Sequence, residues 1–238
     1  MQLPDNVKFM FADTETTGVE LENDAVVEVG WIITDSDFNE IERIESLIDP
    51  QQFIAPESSG VHGLVNADVE NSPTLEEFFT VQGEGCYGRR IEEPVVLIGH
   101  RIGFDHGFLK AYVTNVVQEL DTLRWSRRLY PDLGNHQLQT MIFACNLPRS
   151  TGAHRVMADV LSALYLAKHI CERTGMTLPQ LAEASAEPML IDRASFGKHK
   201  GEPFSEIPTS YLRWMQGNMD LDFDLAHTIQ HHLGRKGR

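Results

Sequence analysis

The sequence of 238 residues has little cysteine, no long apolar run and no excess of basic residues. Its three cysteines are odd in number and far apart, which excludes a disulfide framework and a C-x-x-C metal site. No stretch approaches the ~20 apolar residues of a membrane span, and the N-terminus lacks the basic and apolar segments of a secretory signal. We therefore expect a soluble cytoplasmic protein with no membrane partner.

The net charge of −15 is concentrated in the N-terminal part of the chain. Residues 1–100 contain 4 basic and 21 acidic residues, whereas residues 101–238 contain 16 basic and 14 acidic residues. An acidic surface in contact with solvent accounts for most of this excess. For a few of these carboxylates the alternative is an inward orientation that holds divalent cations, and the motifs must decide between the two.

Apolar patterns predict an α/β fold in which helices sandwich a sheet. Alternating or wholly apolar runs predict strands at 7–16, 24–37, 41–50 and 93–100. Helical patterns and capping residues predict helices at 73–83, 104–120, 135–147, 158–175 and 177–188. Residues 190–238 are too few for a large core, and we expect them to dock as a small module that ends in a helix at 223–233.

Asp13 and Glu15 form the first candidate site, at the end of the first predicted strand. Residues i and i+2 of a strand point to the same face, so both carboxylates project together. Like charges this close repel unless a cation lies between them, and hard oxygen ligands favour Mg²⁺ or Mn²⁺. Two solvated acids are the alternative, but the turn after the strand places the pair where open α/β sheets bind ligands.

Three later residues extend this candidate site. Asp105 follows a buried strand and a glycine-containing loop, where helix capping is the alternative to metal binding. His154 and Asp159 would lie roughly 140° apart on one helix, so they reach a common site only if His154 precedes the helix. A histidine of a surface loop is the alternative. Together, four carboxylates and one imidazole suit two-metal hydrolysis of a phosphodiester, in which His154 takes a proton from water.

Three segments, FADTETTG, GHRIGFDHGFL and HRVMAD, resemble in this order the motifs of the DEDDh (DnaQ-like) 3′–5′ exonuclease family. Supporting segments are DAVVEVG, VHGLV and LDTLRWSRRLYP. The resemblance implies a ribonuclease-H-like mixed sheet, with one antiparallel strand, flanked by helices. It also implies two Mg²⁺ or Mn²⁺ ions per site, His154 as the general base, and four metal ligands, which are Asp13, Glu15, Asp105 and Asp159.

The same resemblance assigns residues to the substrate. Thr14 and Thr16 would hold the terminal nucleotide, and His62 lies in a segment that contacts this nucleotide. Val19 takes the position of an apolar wedge against the bases. Arg101 departs from the family pattern, which has Asn after the histidine of the second motif, and it either contacts a phosphate or lies on the surface.

The C-terminal part resembles the module found in the exodeoxyribonuclease X branch of this family. We expect a nuclease domain at 1–175, a linker helix at 176–189 and the C-terminal module at 190–238. Lys198 and Lys200 are candidates for phosphate contact, whereas Tyr211 and Trp214 are expected to pack as the buried face of a short helix. The segment 81–94 fits no family motif.

The expected substrate is DNA, as a single strand or a 3′ end, and the likeness of the C-terminal part is what favours it. An exoribonuclease on the same fold is one alternative, because the motifs do not report the 2′-hydroxyl group. A polymerase-associated proofreading or binding subunit is the alternative from another class, with a polymerase or a repair protein as partner. The sequence leaves strand preference, processivity and oligomeric state open.

Overall fold

Parallel strands of a mixed sheet end at one common edge, and the candidate residues gather there. The computed structural model describes residues 2–80, 88–150, 155–219 and 221–236. Within this part of the chain the sheet has the order β3-β2-β1-β4-β5. Its strands are β1 (Lys8–Thr16), β2 (Val26–Thr34), β3 (Glu40–Leu47), β4 (Val95–Gly99) and β5 (Val116–Asp121).

The direction of the strands confirms the expected fold class. Strand β2 is antiparallel to its neighbours β1 and β3, whereas β1, β4 and β5 are parallel to one another. Helices flank this sheet and form much of the C-terminal part. They are α1 (Pro56–His62), α2 (Asn66–Val69), α3 (Leu75–Thr80), α4 (Ile102–Leu109), α5 (Thr122–Leu129), α6 (Leu138–Ala144), α7 (Val156–Thr174), α8 (Leu178–Ser185), α9 (Thr209–Asn218) and α10 (Phe223–Lys236).

The central strand β1 is buried on both faces, because its successive residues enter two different apolar cores. Phe9 and Phe11 belong to the core that includes residues of α7. Met10 and Ala12 belong to the core on the other face, where Trp31 packs with the aromatic residues of α3. Packing on both faces fixes β1, so its carboxyl end is a rigid base for side chains.

The predicted helix at 104–120 is wrong in its second half. Helix α4 ends at Leu109, and after a turn the chain forms β5, which pairs with β4 at the edge of the sheet. A strand of six residues with half-buried side chains is too short for its period to stand out from that of a helix. The β-branched residues at 113, 114, 116 and 117 are the local signal that favoured a strand.

Capping residues account for the start of one predicted helix and for the end of another. Thr177 caps α8, because its hydroxyl accepts a hydrogen bond from the backbone of Gln180 while the Gln180 side chain accepts one from the backbone of Thr177. Gly175 follows α7 with a φ of 70°, a left-handed conformation that glycine adopts without strain. Helix α8 packs Leu178 and Leu181 into the same core as Phe11. The domain boundaries at 175 and 189 stay a prediction.

The C-terminal module has an apolar core of its own. Its buried residues are Ala194, Phe204, Ile207, Leu212, Met215, Leu225 and Ile229. Leu212 and Met215 form the buried face of α9, whereas Trp214 is 49% exposed and Tyr211 is half-buried. The prediction that Trp214 packs in this core is therefore wrong, since the ring lies against Tyr211 near the surface.

Two sequence features fall wholly or partly outside the described residues. His154 is one of them, and the first half of the segment 81–94 is the other. Beyond residue 87 this segment is anchored to the sheet by Arg89, which pairs with Glu42 of β3 at 3.0 Å and with Glu93 at 2.6 Å. No helix of the part that the structure describes is long and apolar enough to cross a membrane.

Candidate active site

Three carboxylates meet at the carboxyl end of β1. Asp13 and Glu15 project from the same face of this strand, as their spacing indicated, and Asp159 reaches them from the first turn of α7. One oxygen atom of each side chain lies within 4.8 Å of the other two. All three residues are half-buried, so the cluster is partly shielded from solvent.

Burial and mutual repulsion disfavour the charged forms of these acids. Burial raises the pKa of Asp13 well above its usual value, and the charges of Asp105 and Asp159 raise it further. Burial followed by the charges of Asp159 and Glu28 raises the pKa of Glu15 to about 8. Because these carboxylates repel one another when they are ionised, a divalent cation between them would stabilise their charged forms. Mg²⁺ and Mn²⁺ prefer oxygen ligands of this kind. The residues therefore fit a divalent cation.

Asp105, the fourth predicted acid, is held against β1 by Thr14. It lies in α4 and is 4% exposed. Its Oδ1 atom accepts hydrogen bonds from the backbone N–H of Thr14 at 2.9 Å and from the Thr14 hydroxyl at 2.7 Å. Burial raises the pKa of Asp105 to about 7, although both hydrogen bonds act in the opposite direction. Thr14 thus orients an acid of the site, a role beyond the one that the sequence suggested.

The start of α7 is fixed on β2 by a buried ion pair that the motifs did not reveal. Glu28 is fully buried, and the Arg155 guanidinium donates to its carboxylate at 2.6 and 3.0 Å. The backbone N–H of Val156 donates to the same carboxylate at 3.2 Å. Glu28 lies directly opposite Glu15 in the β1–β2 register. A single acid within the apolar run of β2 was the signal that could have identified it.

Close packing brings the helix that carries Asp159 near the sheet. A Cβ atom at Gly30 of β2 would lie 2.4 Å from Cγ1 of Val156, so the absence of a side chain at Gly30 lets α7 approach. Asp159 itself accepts a hydrogen bond from the Gln139 side chain at 3.1 Å. Its place in the first turn of a 19-residue helix is where the helix dipole favours a carboxylate.

The predicted substrate residues Thr16 and Val19 follow the acids along the chain. The Thr16 hydroxyl donates to the carbonyl of Gly18 at 2.5 Å and so shapes the turn after β1. Val19 is 76% exposed, which leaves its side chain free to contact a ligand. His62 ends α1, a helix joined to the same turn by the Ser58 hydroxyl, which donates to the carbonyl of Thr17 at 2.5 Å.

Arg101 lies at the N-terminus of α4 and has a φ of 76°. Asparagine, the family residue at this position, adopts this left-handed conformation more readily than arginine does. The Arg101 backbone N–H donates to Asp121 at 2.8 Å, and its exposed guanidinium lies 5.9 Å from the ring centroid of Phe104. The departure from the family pattern thus places a cation beside the helix that carries Asp105.

Acids gathered at the end of the central strand of a ribonuclease-H-like sheet define a class of proteins, the nucleases that use bound cations. The chain also matches the model of one family within this class. Residues 10–167 match the RNase_T family model, described as exonuclease, and this match spans more than half of the chain. The chain belongs to this exonuclease family.

Similar proteins support this assignment. Exodeoxyribonuclease 10 of Escherichia coli (strain K12) is 24% identical over 229 residues, which cover 93% of this chain and 96% of that protein. DNA polymerase III subunit epsilon of Treponema pallidum (strain Nichols) is 28% identical over 162 residues, which cover 65% of this chain and 72% of that protein. The first of these alignments extends through the C-terminal module, whereas the second covers a shorter part.

Solved structures show the same fold. The structure described as exonuclease X in complex with 5′ overhanging duplex DNA has a TM-score of 0.54 at 20% identity, covering 75% of this chain and 99% of that one. E. coli exonuclease I in complex with a dA16 oligonucleotide has a TM-score of 0.58 at 20% identity, covering 75% of this chain and 43% of that one.

Proposed function

We propose that the chain is a metal-dependent exonuclease that removes mononucleotides from the 3′ end of DNA. The observation that carries this proposal is the approach of Asp13, Glu15 and Asp159 within 4.8 Å at the end of β1. Carboxylates this close stay ionised together when cations lie between them. Two bound Mg²⁺ or Mn²⁺ ions would supply an activated water and would stabilise the charge that develops on the phosphate oxygens.

The protein's own residues have separate tasks in this reaction. Asp13, Glu15 and Asp159 would hold the ions, and Asp105, oriented by Thr14, would complete the set of ligands. His154 takes the proton from the attacking water, because an imidazole exchanges protons near neutral pH. His154 directly precedes Arg155 in the sequence, and Arg155 pairs with Glu28 at 2.6 Å.

DNA is the proposed substrate because the chain is similar to an exodeoxyribonuclease over almost its whole length. Exodeoxyribonuclease 10 aligns over nearly its whole length, including the C-terminal module, and two similar structures are complexes with DNA. The exposed Val19 and the buried His62 lie on segments that meet at the turn after β1. In the proposed binding mode they contact the terminal base and sugar of a strand whose 3′ end lies at the acids.

A proofreading subunit associated with a polymerase is the second candidate function. The observation that favours it is the likeness to DNA polymerase III subunit epsilon over 65% of this chain. This alignment covers less of the chain than that with exodeoxyribonuclease 10, so an enzyme that acts alone is the better proposal. Stable co-purification with a polymerase would reverse this order.

Digestion of a 5′-labelled single-stranded DNA oligonucleotide tests the main proposal. With Mg²⁺ or Mn²⁺ we expect a ladder that shortens from the 3′ end, and with EDTA no cleavage. Asp13→Asn should reduce the rate by at least about 10²-fold, because it removes charge that stabilises the transition state through the ions. A matched RNA oligonucleotide tests the exoribonuclease alternative.

Glu22→Gln is the matched control, since Glu22 is an exposed acid nine residues after Asp13. It should cleave at the parent rate. Equal activity of Asp13→Asn and Glu22→Gln would contradict the metal assignment, and internal cleavage products would contradict an exonuclease.

A further inference from the structure

A cleft of about 1310 Å³ separates the sheet domain from the C-terminal module. Its floor on the sheet side consists of residues of β5, of the first turns of α4 and α5, and of the segment 131–138. Its opposite wall is the loop at 193–201, together with the start of α10. The second family motif contributes His100, Arg101 and Phe104 to this cleft, but the proposed reaction at the acids does not involve its opposite wall.

The cleft opens at the same edge of the sheet as the acidic cluster. Strands β1, β4 and β5 are parallel and adjacent, so their carboxyl ends lie side by side. The end of β5 is two strand spacings from the end of β1, which is roughly 10 Å. Helix α4 joins the two places directly, because Phe104 lines the cleft and Asp105 belongs to the acids. A strand that leaves the acids along this edge enters the cleft.

Five acidic and five basic side chains line the cleft, so its ability to bind an anion depends on which of them are paired. Each of these acids has a hydrogen-bonded or ionic partner: Glu119 with His106, Asp121 with the backbone of Arg101 and Leu123, Asp132 with Arg193, Asp222 with Arg127 and Asp224 with Arg124. Arg101 and Lys200 are exposed and have no acidic partner among the described residues. The two sides of the cleft thus each present one cation without an acidic partner in the described residues, and Asp121 is bound there by backbone N–H groups.

Aromatic rings at the rim supply flat apolar surfaces. Phe196, on the loop at 193–201, is 39% exposed, and Phe223, at the start of α10, is 56% exposed. The loop is closed by hydrogen bonds from Gly201 N–H to the Ala194 carbonyl at 2.7 Å and from Ala194 N–H to the Glu202 carbonyl at 3.0 Å. Because the loop is closed in this way, Phe196 is presented by a defined backbone and not by a loose tail.

We propose that this cleft binds the single-stranded stretch of DNA that lies directly 5′ of the nucleotide being removed. Arg101 and Lys200 contact its phosphates, while Phe196 and Phe223 stack on its bases. Stacking on a protein ring requires an unpaired base, which is why the occupant is a single strand. The proposal rests on the proposed function, since it assumes that the 3′ end of the strand lies at the acids.

The structure provides a matched pair of variants for the test. The sequence made both Lys198 and Lys200 candidates for phosphate contact, but the structure distinguishes them: they belong to the same loop, and Lys200 lines the cleft whereas Lys198 does not. Binding of fluorescent single-stranded oligonucleotides of 3 and 12 nucleotides is measured by anisotropy in the Asp13→Asn background with Mg²⁺. Arg101→Ala and Phe196→Leu are measured in the same way.

Lys200→Ala should weaken binding of the 12-mer about tenfold at low salt and should reduce the dependence of log Kd on log salt by about 0.7. Phe196→Leu should weaken binding of the 12-mer by a similar factor, with no change in the salt dependence. The 3-mer should lose less affinity than the 12-mer in the variants of the loop, because only two of its nucleotides lie 5′ of the one being removed. Lys198→Ala should stay within twofold of the parent for both lengths.

Two results would overturn the proposal. One is an equal loss in Lys198→Ala and Lys200→Ala, which would mean a general effect of charge. The other is an unchanged affinity for the 12-mer in Lys200→Ala. If sedimentation also shows that the parent protein is a dimer and that this variant is not, a second copy of the chain fills the cleft instead of DNA. Failure of the proposed function is distinguishable, because then the parent protein would neither trim nor bind an oligonucleotide of either length.

Discussion

The two ring nitrogens of His62 have different surroundings, and this difference fixes the state of the imidazole. Nδ1 accepts a hydrogen bond from the backbone N–H of Leu64 at 3.1 Å, so the proton of the neutral ring is on Nε2. Nε2 is buried and has no hydrogen-bond partner within the described residues. Burial also lowers the pKa of His62, which keeps the ring neutral. An unpaired buried donor costs about 1–3 kcal/mol, so His62 is a donor that a ligand can satisfy.

Two substitutions of His62 separate its two nitrogens. His62→Gln places an amide N–H near the position of Nε2, whereas His62→Asn keeps only an acceptor near the position of Nδ1. If Nε2–H donates to the substrate, His62→Gln should keep most of kcat/KM, and His62→Asn should lose about tenfold or more, the value of one hydrogen bond. Steady-state digestion of a short oligonucleotide measures both, and thermal melting shows whether each variant is folded. Equal losses would indicate that His62 has a structural role alone.

The sequence indicated the acids of β1 but not the ion pair behind them. Asp13 and Glu15 could be predicted because the two-residue period of a strand places them on one face. Glu28 could not, since its burial depends on Arg155, which lies 127 residues further along the chain. The role of Thr14 was missed for the same reason, because its partner Asp105 comes from another element.

At the scale of elements, the placement of α7 on β2 decides where Asp159 lies. The contact combines the narrow packing of Val156 on Gly30 with the charges of Glu28 and Arg155. Glu28 is fully buried and Arg155 is 46% exposed, so the carboxylate depends on a partner that solvent can reach. Removal of Arg155 leaves a buried carboxylate with the Val156 N–H as its remaining donor in the described part of the chain.

We expect Arg155→Met to be destabilising by about 1–3 kcal/mol, since it leaves the buried carboxylate of Glu28 without its ionic partner. The double variant with Glu28→Met should recover part of this loss, because both charges are then absent. Urea unfolding of the two single variants and the double variant, with EDTA present, measures the coupling without interference from bound metal. Additive losses in the double variant would show that the pair is not energetically linked.

The elements differ in how far they could be predicted from their own sequence. β2 and β4 are almost wholly apolar, and α7 has a long amphipathic pattern with a glycine at its end, so each was predicted as it is found. β5 was mistaken for the continuation of α4, because a short edge strand is defined by its pairing with β4 and not by its pattern. The exposure of Trp214 likewise depends on which face of α9 meets α10, and no local pattern reports that.

At the scale of the whole molecule, Arg124 forms the most buried of the three ion pairs described between the sheet domain and the C-terminal module. Arg124 of α5 forms a bidentate ion pair with Asp224 at 2.6 and 2.7 Å and donates to the carbonyl of Ser185 at 2.9 Å. Asp224 is 7% exposed and also accepts a hydrogen bond from the Met189 backbone. Since the module has its own apolar core, this contact sets how firmly the wall of the cleft is held.

Arg124→Leu should therefore loosen the module without unfolding the sheet. We expect faster hydrogen exchange of the amides in α9 and α10, by a factor equivalent to about 3 kcal/mol, with the exchange of β1 and β4 unchanged. Arg128→Leu is the control, because Arg128 is an exposed arginine of the same helix without an acidic partner in the described residues, and its effect should stay within about 0.5 kcal/mol. If Arg124→Leu instead accelerates exchange equally in the module and in the sheet, the two unfold as one cooperative unit, and the cleft between them is as rigid as the cores on either side.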